Sequence, residues 1–303
     1  MTRVGFVGVG HLGAHLAASV LRAGYPLAVH DLDREAAAGL LASGATWADS
    51  PREVAAQSDC VITCLPSPSA VGAVVAGTDG ILEGMRPGGT WIDTSTGDRH
   101  ELLRLAGLAA EQGVVTLEAP VTGGVHKAAE GEITVLVGGD EEAFAAHLPL
   151  FRAIGGAVFH IGPLGSASVI KVITNMLAFI HLVAVGEALM LARRAGLDLA
   201  QSYEVIKASS GNSFVHETET QLILHGSYDI GFTMDLAVKD LGFAHELGDE
   251  LGVPLELATL VEEIFARGRE AYGGSAWSTM IVKLLEDQLD TNLRAPGFPA
   301  ALA

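Results

Sequence analysis

The chain has 303 residues, 49% of them hydrophobic, which is enough for two domains with sizeable cores and too apolar for general disorder. Its 18 Lys and Arg against 36 Asp and Glu give a formal charge of −18, which repels phosphate backbones and anionic lipid and argues against nucleic-acid or membrane partners. An anionic substrate would have to be captured by a local set of donors.

Arg3 to Val9 reads as a short apolar strand running into Gly8-Val9-Gly10-His11-Leu12-Gly13. Leu12, Leu16, Val20 and Leu21 then recur at helical spacing. Pro26 to Asp31 is a second strand, ending in an acid 18 residues beyond Gly13. Strand, glycine turn, helix and acid in this order make a dinucleotide fingerprint. Gly8 allows the tight turn, Gly10 lets a pyrophosphate approach the backbone, and Gly13 lets helix and strand pack closely. His11 and Leu12 share the turn and are cofactor candidates with it, beside the free N–H groups that open the helix. Asp31 suits a ribose 2′-hydroxyl and repels a 2′-phosphate, which favours NAD. Arg34, just beyond it, leaves NADP open.

The alternation continues with a helix near Arg34 to Ser43, a strand at Ala45 to Ala48, and a helix begun by the cap Ser50 and Pro51. Cys60 to Leu65 is a buried strand followed by Pro66-Ser67-Pro68. Ligands of a doubly wound sheet lie outside the C-terminal ends of strands, so Leu65, Pro66 and Ser67 are expected on the nicotinamide side of the cleft. Gly89 to Asp93 repeats the pattern and ends in Thr94-Ser95-Thr96, with Asp98 as the next helix cap. Val114 to Glu118 leads into Ala119-Pro120-Val121-Thr122-Gly123-Gly124, where a hydroxyl and two glycines can present N–H groups to a carboxylate. Strands at Ile133 to Val137 and Ala157 to Ile161, with a helix at Glu141 to Ile154 between them, complete an α/β half. Cys60 and Cys64 lie about 13 Å apart along one strand, too far for a disulfide. They read as core thiols, and the N-terminus shows no signal-peptide sections, so a cytoplasmic protein is expected.

A helix from about Ser166 to Ala195 would be roughly 45 Å long. It is apolar but carries Lys171, Asn175, His181 and Glu187, which are costly in hydrocarbon, so a helix buried in protein or between subunits is the better reading. Helices follow at about Leu199 to Ser209, Met234 to Leu251, Leu255 to Tyr272 and Ala276 to Asp287. Asn292 to Ala303, rich in Pro, Gly and small residues, is expected to be a mobile tail. His216, Glu217 and Glu219 read as a solvated helix face and His181 as a core or interface histidine. The 11 histidines are scattered without HExxH or paired CxxC spacing, so no metal site is expected. The expected organisation is α/β: a Rossmann-type doubly wound dinucleotide-binding domain over residues 1–163, an interdomain helix over 164–195, and an all-α substrate and oligomerisation domain over 196–303.

The order of Gly8-x-Gly10-x-x-Gly13, Ala119-Pro120-Val121-Thr122-Gly123-Gly124, Lys171-x-x-x-Asn175 and Phe232 with Lys239-Asp240-Leu241 resembles the β-hydroxyacid dehydrogenase family, from residue 4 to about 288. The family includes 3-hydroxyisobutyrate dehydrogenase and tartronate, glyoxylate and succinic semialdehyde reductases. The resemblance implies hydride transfer between NAD(P) and a small β-hydroxyacid or its semialdehyde or keto partner, in a homodimer or homotetramer. It implies Lys171 as the catalytic lysine, Asn175 as its substrate-orienting neighbour, and Thr122, Gly123 and Gly124 as the carboxylate loop. It places Thr96 as a cofactor or substrate contact and Lys239 with Asp240 in a closing cleft, Lys239 touching substrate and cofactor. A lysine can protonate a developing alkoxide or deprotonate an alcohol, and an apolar helix face favours its neutral amine.

The chain departs from the family at His126-Lys127-Ala128, where a cation could read a second acidic group, and at Ala167 before the lysine. Ala178 stands where the decarboxylating 6-phosphogluconate dehydrogenases carry a glutamate, so oxidative decarboxylation lacks its second proton donor. Two alternatives are imine reduction on the same scaffold, which Lys171 argues against, and a non-catalytic dinucleotide-binding reader.

Overall fold

A computed structural model of the chain describes residues 2–302. Contacts divide the chain after Lys171 into two compact units.

The first unit begins as the glycine turn requires. β1 (Val4–Val7) enters the turn and α1 (Gly13–Arg22) leaves it. β2 (Leu27–His30) follows, then a 3₁₀ turn and α2 (Ala38–Ala42), β3 (Thr46–Trp47), α3 (Pro51–Gln57) and β4 (Cys60–Thr63). Next come α4 (Pro68–Ala76), α5 (Ile81–Gly84), β5 (Thr90–Asp93), α6 (Arg99–Glu111) and β6 (Val115–Glu118). β7 (Val121–Thr122), α7 (Gly124–Glu130), β8 (Thr134–Gly138), α8 (Glu141–Ile154) and β9 (Ala157–Gly162) complete the sheet and its helices. The sheet order is β3-β2-β1-β4-β5-β6-β8-β7, with β9 on β8. β1 to β6 are parallel, whereas β8 runs antiparallel to β6 and β7. This is the doubly wound sheet expected from the sequence. Its strand order reverses between β1 and β4, where such sheets bind ligands.

Both faces of the parallel strands are covered, which is why they read as continuous apolar runs. Phe6, Ile62, Ile92 and Leu117 pack with Leu16 and Val20 on one side. Val7, Val61 and Trp91 pack with Val54 and Leu105 on the other. Several helices start on local caps: Ser50, Ser67, Asp98 and Asp140 each accept the N–H of the residue three further on.

α9 (Ser166–Arg194) starts in the first unit and continues into the second. Among the described residues it is the one helix long and apolar enough to cross a membrane, yet Phe179, Leu182, Val185 and Leu189 lie in the core of the second unit. That unit adds α10 (Leu199–Lys207), α11 (Phe214–Glu217), α12 (Glu219–His225), α13 (Met234–Leu251), α14 (Glu256–Tyr272) and α15 (Lys283–Gln288), the last preceded by a 3₁₀ turn over Ser278–Val282.

Two expectations change here. The segment from Asn292 is not loose throughout: Leu293 is fully buried, Arg294 pairs with the buried Glu286 at 3.0 Å, and Ala295 N–H donates to Leu224 O. His216 is not on a solvated face; it is fully buried, and its Nε2 lies 2.9 Å from Tyr203 O. His181 is exposed.

Candidate active site

The glycine turn lies between the C-terminal ends of β1 and β4. Gly8 has φ +93°, a conformation that side-chain-bearing residues rarely adopt. A Cβ on Gly10 would meet nothing within 4 Å, so open space stands over the turn. α1 has no side-chain cap and no acid in its first turn, which leaves its N-terminus suited to an anion. Asp31, just past β2, accepts the Val9 N–H at 2.7 Å and the Asp33 N–H at 3.0 Å, pinning the second strand's end to the turn. These features fit a dinucleotide: an unobstructed turn, an unneutralised helix start and an acid on the neighbouring strand. His11 is exposed and Leu12 half-buried in this turn. The guanidinium of Arg34 lies over the Trp47 ring, 5.3 Å from its centroid.

Asp93 organises the next two strand ends. It accepts from Thr63 Oγ1 at 2.7 Å and from Ser95 Oγ at 2.7 Å, and Ser95 Oγ in turn accepts the Leu65 N–H at 2.9 Å. The segment holding Leu65 and Pro66 is thereby tied to the one holding Thr96. Burial pushes the Asp93 carboxyl up from 3.8 to about 6, against the lowering effect of the Ser95 and Thr63 hydrogen bonds; the nearby Glu118 charge adds to the rise. Because the folded state holds this proton more tightly than the unfolded chain, the associated stability is present at low pH and fades as pH rises through about 6. Asp93→Asn cannot titrate. The stability difference between wild type and this variant should therefore shift by about 1–2 kcal/mol in the variant's favour between pH 5 and pH 7.5, measured by urea unfolding; an unchanged difference would contradict the raised value.

The loop expected to hold a carboxylate follows β6. Gly123 (φ +124°) and Gly124 (φ +86°) both take left-handed conformations as the chain turns from Thr122 into α7. Lys127, half-buried in α7, pairs with Glu130 three residues on at 2.7 Å. A narrow cleft beside β5 and β6 is lined by Pro68, Asp93, Ser95, Glu118 and Ser168.

Lys171 is 8% exposed, in the second turn of α9 and in the first unit. Asn175, one helical turn on, belongs to the second unit, where its Nδ2 donates to Asp240 Oδ2 at 2.6 Å. Lys239 Nζ is 3.3 Å from Asp240 Oδ1 and 5.6 Å from the Phe243 ring centroid. Asp240 is 1% exposed, so Asn175 and Lys239 meet on one buried carboxylate. The sequence marked Asp240 only as part of a motif; its burial, and those of Asp93 and Glu118, were signalled by nothing more than an acid next to apolar residues.

Comparison with known proteins agrees with these observations. Residues 3–162 match the family model for the NAD-binding domain of 6-phosphogluconate dehydrogenase. Residues 165–285 match that for the NAD-binding of NADP-dependent 3-hydroxyisobutyrate dehydrogenase. The chain belongs to the β-hydroxyacid dehydrogenase family. It is similar to the 2-(hydroxymethyl)glutarate dehydrogenase of Eubacterium barkeri, 33% identical over 94% of this chain and 95% of the relative. A solved 3-hydroxyisobutyrate dehydrogenase from Salmonella typhimurium superimposes with TM-score 0.87 at 34% identity, covering 94% of this chain and all (100%) of the other. The Mycobacterium tuberculosis 3-hydroxyisobutyrate dehydrogenase with L-serine gives 0.83 at 29% identity, covering 94% and 99%. As a β-hydroxyacid dehydrogenase the chain is an oxidoreductase that uses a nicotinamide dinucleotide and a small hydroxyacid.

Proposed function

We propose that this dehydrogenase interconverts a small β-hydroxyacid and its semialdehyde or keto acid, with Lys171 as general acid and base and NAD as the preferred cofactor. The observation that carries the reading is a lysine buried in the second turn of a long apolar helix. A primary amine at this position can both take a proton from a hydroxyl and return one to a carbonyl oxygen, which supports the assignment as general acid and base. The nicotinamide, when bound, takes up or supplies the hydride. Lys171 Nζ takes the hydroxyl proton during oxidation and returns one to the carbonyl oxygen during reduction. Thr122 and the N–H groups of Gly123 and Gly124 hold the substrate carboxylate. Asn175, its amide fixed by Asp240, orients the substrate, and Lys239 contacts substrate and cofactor. Gly8, Gly10, His11, Leu12, Gly13, Asp31, Leu65, Pro66 and Thr96 receive the dinucleotide. The substrate class is supported by the relatives, since 2-(hydroxymethyl)glutarate and 3-hydroxyisobutyrate both carry a hydroxyl on the carbon β to a carboxylate. Leu177 and Leu191, 44% and 73% exposed on α9, support assembly as a homodimer or homotetramer.

The test is a panel of 3-hydroxyacids and semialdehydes assayed with NAD(H) and NADP(H). kcat/KM should be highest for a 3-hydroxyacid with NAD; a higher value with NADP, or no turnover with any member, would overturn the reading. NAD preference is supported by Asp31 at the end of β2, followed by Asp33, and by the engagement of Arg34 on Trp47. Asp31→Asn keeps an acceptor for Val9 N–H and removes the charge. The NAD-to-NADP ratio of kcat/KM should then fall about tenfold, equivalent to about 1.4 kcal/mol.

A further inference from the structure

Local side chains cap α3, α4, α6 and α8. α9 is held differently. The carboxylate of Glu118, the last residue of β6, accepts the N–H of Gly165 at 2.5 Å, of Ala167 at 2.9 Å and of Ser168 at 2.9 Å, and also the Ser168 hydroxyl. These N–H groups open the helix and have no partner within it, and a negative charge there complements the helix dipole. Glu118 is 1% exposed and lies 47 to 50 residues from its partners. Its seat is built for it: opposite, on β8, a Cβ at Gly138 would lie 2.2 Å from Glu118 Oε1, so the paired strand leaves a gap that the carboxylate fills.

A cap alone needs only a neighbouring Ser or Asp, worth about 1 kcal/mol. A remote carboxylate does something a local cap cannot: it fixes where the helix starts relative to the sheet. Four residues after Glu118 the chain reaches Thr122, and three residues after Ser168 the helix reaches Lys171.

We propose that Glu118 is a positioning residue for the reaction, locking the first turn of α9, and so Lys171, to the strand end that carries the loop Thr122–Gly124. This rests on the reading of Lys171 as acid and base. Placement errors near 1 Å cost up to about 10²-fold in rate, so a pin of this kind acts on kcat rather than on cofactor affinity.

The experiment is a double-mutant cycle on the full chain with the best hydroxyacid of the panel. Glu118→Gln sets an amide NH₂ against N–H donors and should lower kcat by roughly 10- to 100-fold, with the NADH dissociation constant, read by fluorescence titration, within twofold of wild type. Ser168→Ala removes a single hydrogen bond from the same carboxylate and should lower kcat several-fold; it carries the comparison if the glutamine variant fails to fold. In a Lys171→Ala background neither substitution should lower kcat further, because the group they position is gone. Equal losses in both backgrounds, or a lowered melting temperature with unchanged kcat, would make Glu118 a purely structural cap and overturn the proposal. If instead Lys171→Ala by itself leaves kcat untouched, the lysine reading fails first, and the cycle shows that separately.

Discussion

Lys171→Ala should lower kcat by about 10²- to 10⁴-fold, the range expected for a positioned proton donor, while the dissociation constant for NAD(H) stays within a few-fold of wild type. The split follows from where the residue sits. The dinucleotide features are the Gly8–Gly13 turn, the start of α1 and Asp31, none of which depends on the second turn of α9. Alanine is the strongest helix former and the rest of α9 is unaltered, so the variant should fold. The loss should appear in the proton-transfer step, equally in kcat and kcat/KM, as for an interaction made only in the transition state. Steady-state kinetics with cofactor titration decides it. Unchanged turnover would remove Lys171 from the mechanism, and loss of NADH binding would make it a structural residue of the cofactor half.

How much of this was legible in the sequence depended on how far each signal reaches along the chain. The glycine turn, its strand and its helix are contiguous, so periodicity and punctuation showed them; the ends of α8 and α13 fall where their caps place them. Periodicity predicts no helix over α4, although Ser67-Pro68 carries the same cap-and-proline signal as Ser50-Pro51. Its sequence, Pro68 to Ala76, has no charged residue and no polar face, so no helical period stood out. His216 sits among Glu217, Thr218 and Glu219 in a stretch that reads as solvated, yet its ring packs at a tilt against Tyr203 in the core, 4.8 Å between centroids. The Pro- and Gly-containing end of the chain suggested mobility, whereas Arg294 finds Glu286, Tyr228 and the Ile223 carbonyl. The same limit governs the site. Gly8 and Gly13 announce themselves because backbone geometry is local, and Lys171 because a charge interrupts an apolar run. Asp93, Glu118 and Asp240 act on groups 30 to 65 residues away, and nothing in their own neighbourhoods shows it.

Two glycines of the turn separate folding from binding. A Cβ on Gly13 would lie 2.0 Å from the Gly8 carbonyl oxygen and 3.3 Å from Cys64 Cβ, closer to backbone than any real side chain approaches. Gly13→Ala must therefore push the start of α1 away from β1 and β4, where Leu16 and Val20 are packed without exposure. Overpacking of this kind costs about 1–3 kcal/mol, and it displaces the N–H groups that would face a phosphate, so stability and NAD(H) affinity should fall together. Gly10→Ala meets nothing within 4 Å and should leave the urea midpoint of the protein unchanged. The added methyl nevertheless stands in the open space over the turn, where the pyrophosphate is expected to approach the backbone, so NAD(H) should bind at least tenfold more weakly, a loss of about 1.4 kcal/mol. Chemical denaturation and NADH titration on the two variants check the pair. A Gly10→Ala protein that binds NADH as tightly as wild type would show that the dinucleotide does not lie against this turn, whatever Gly13→Ala does to the fold.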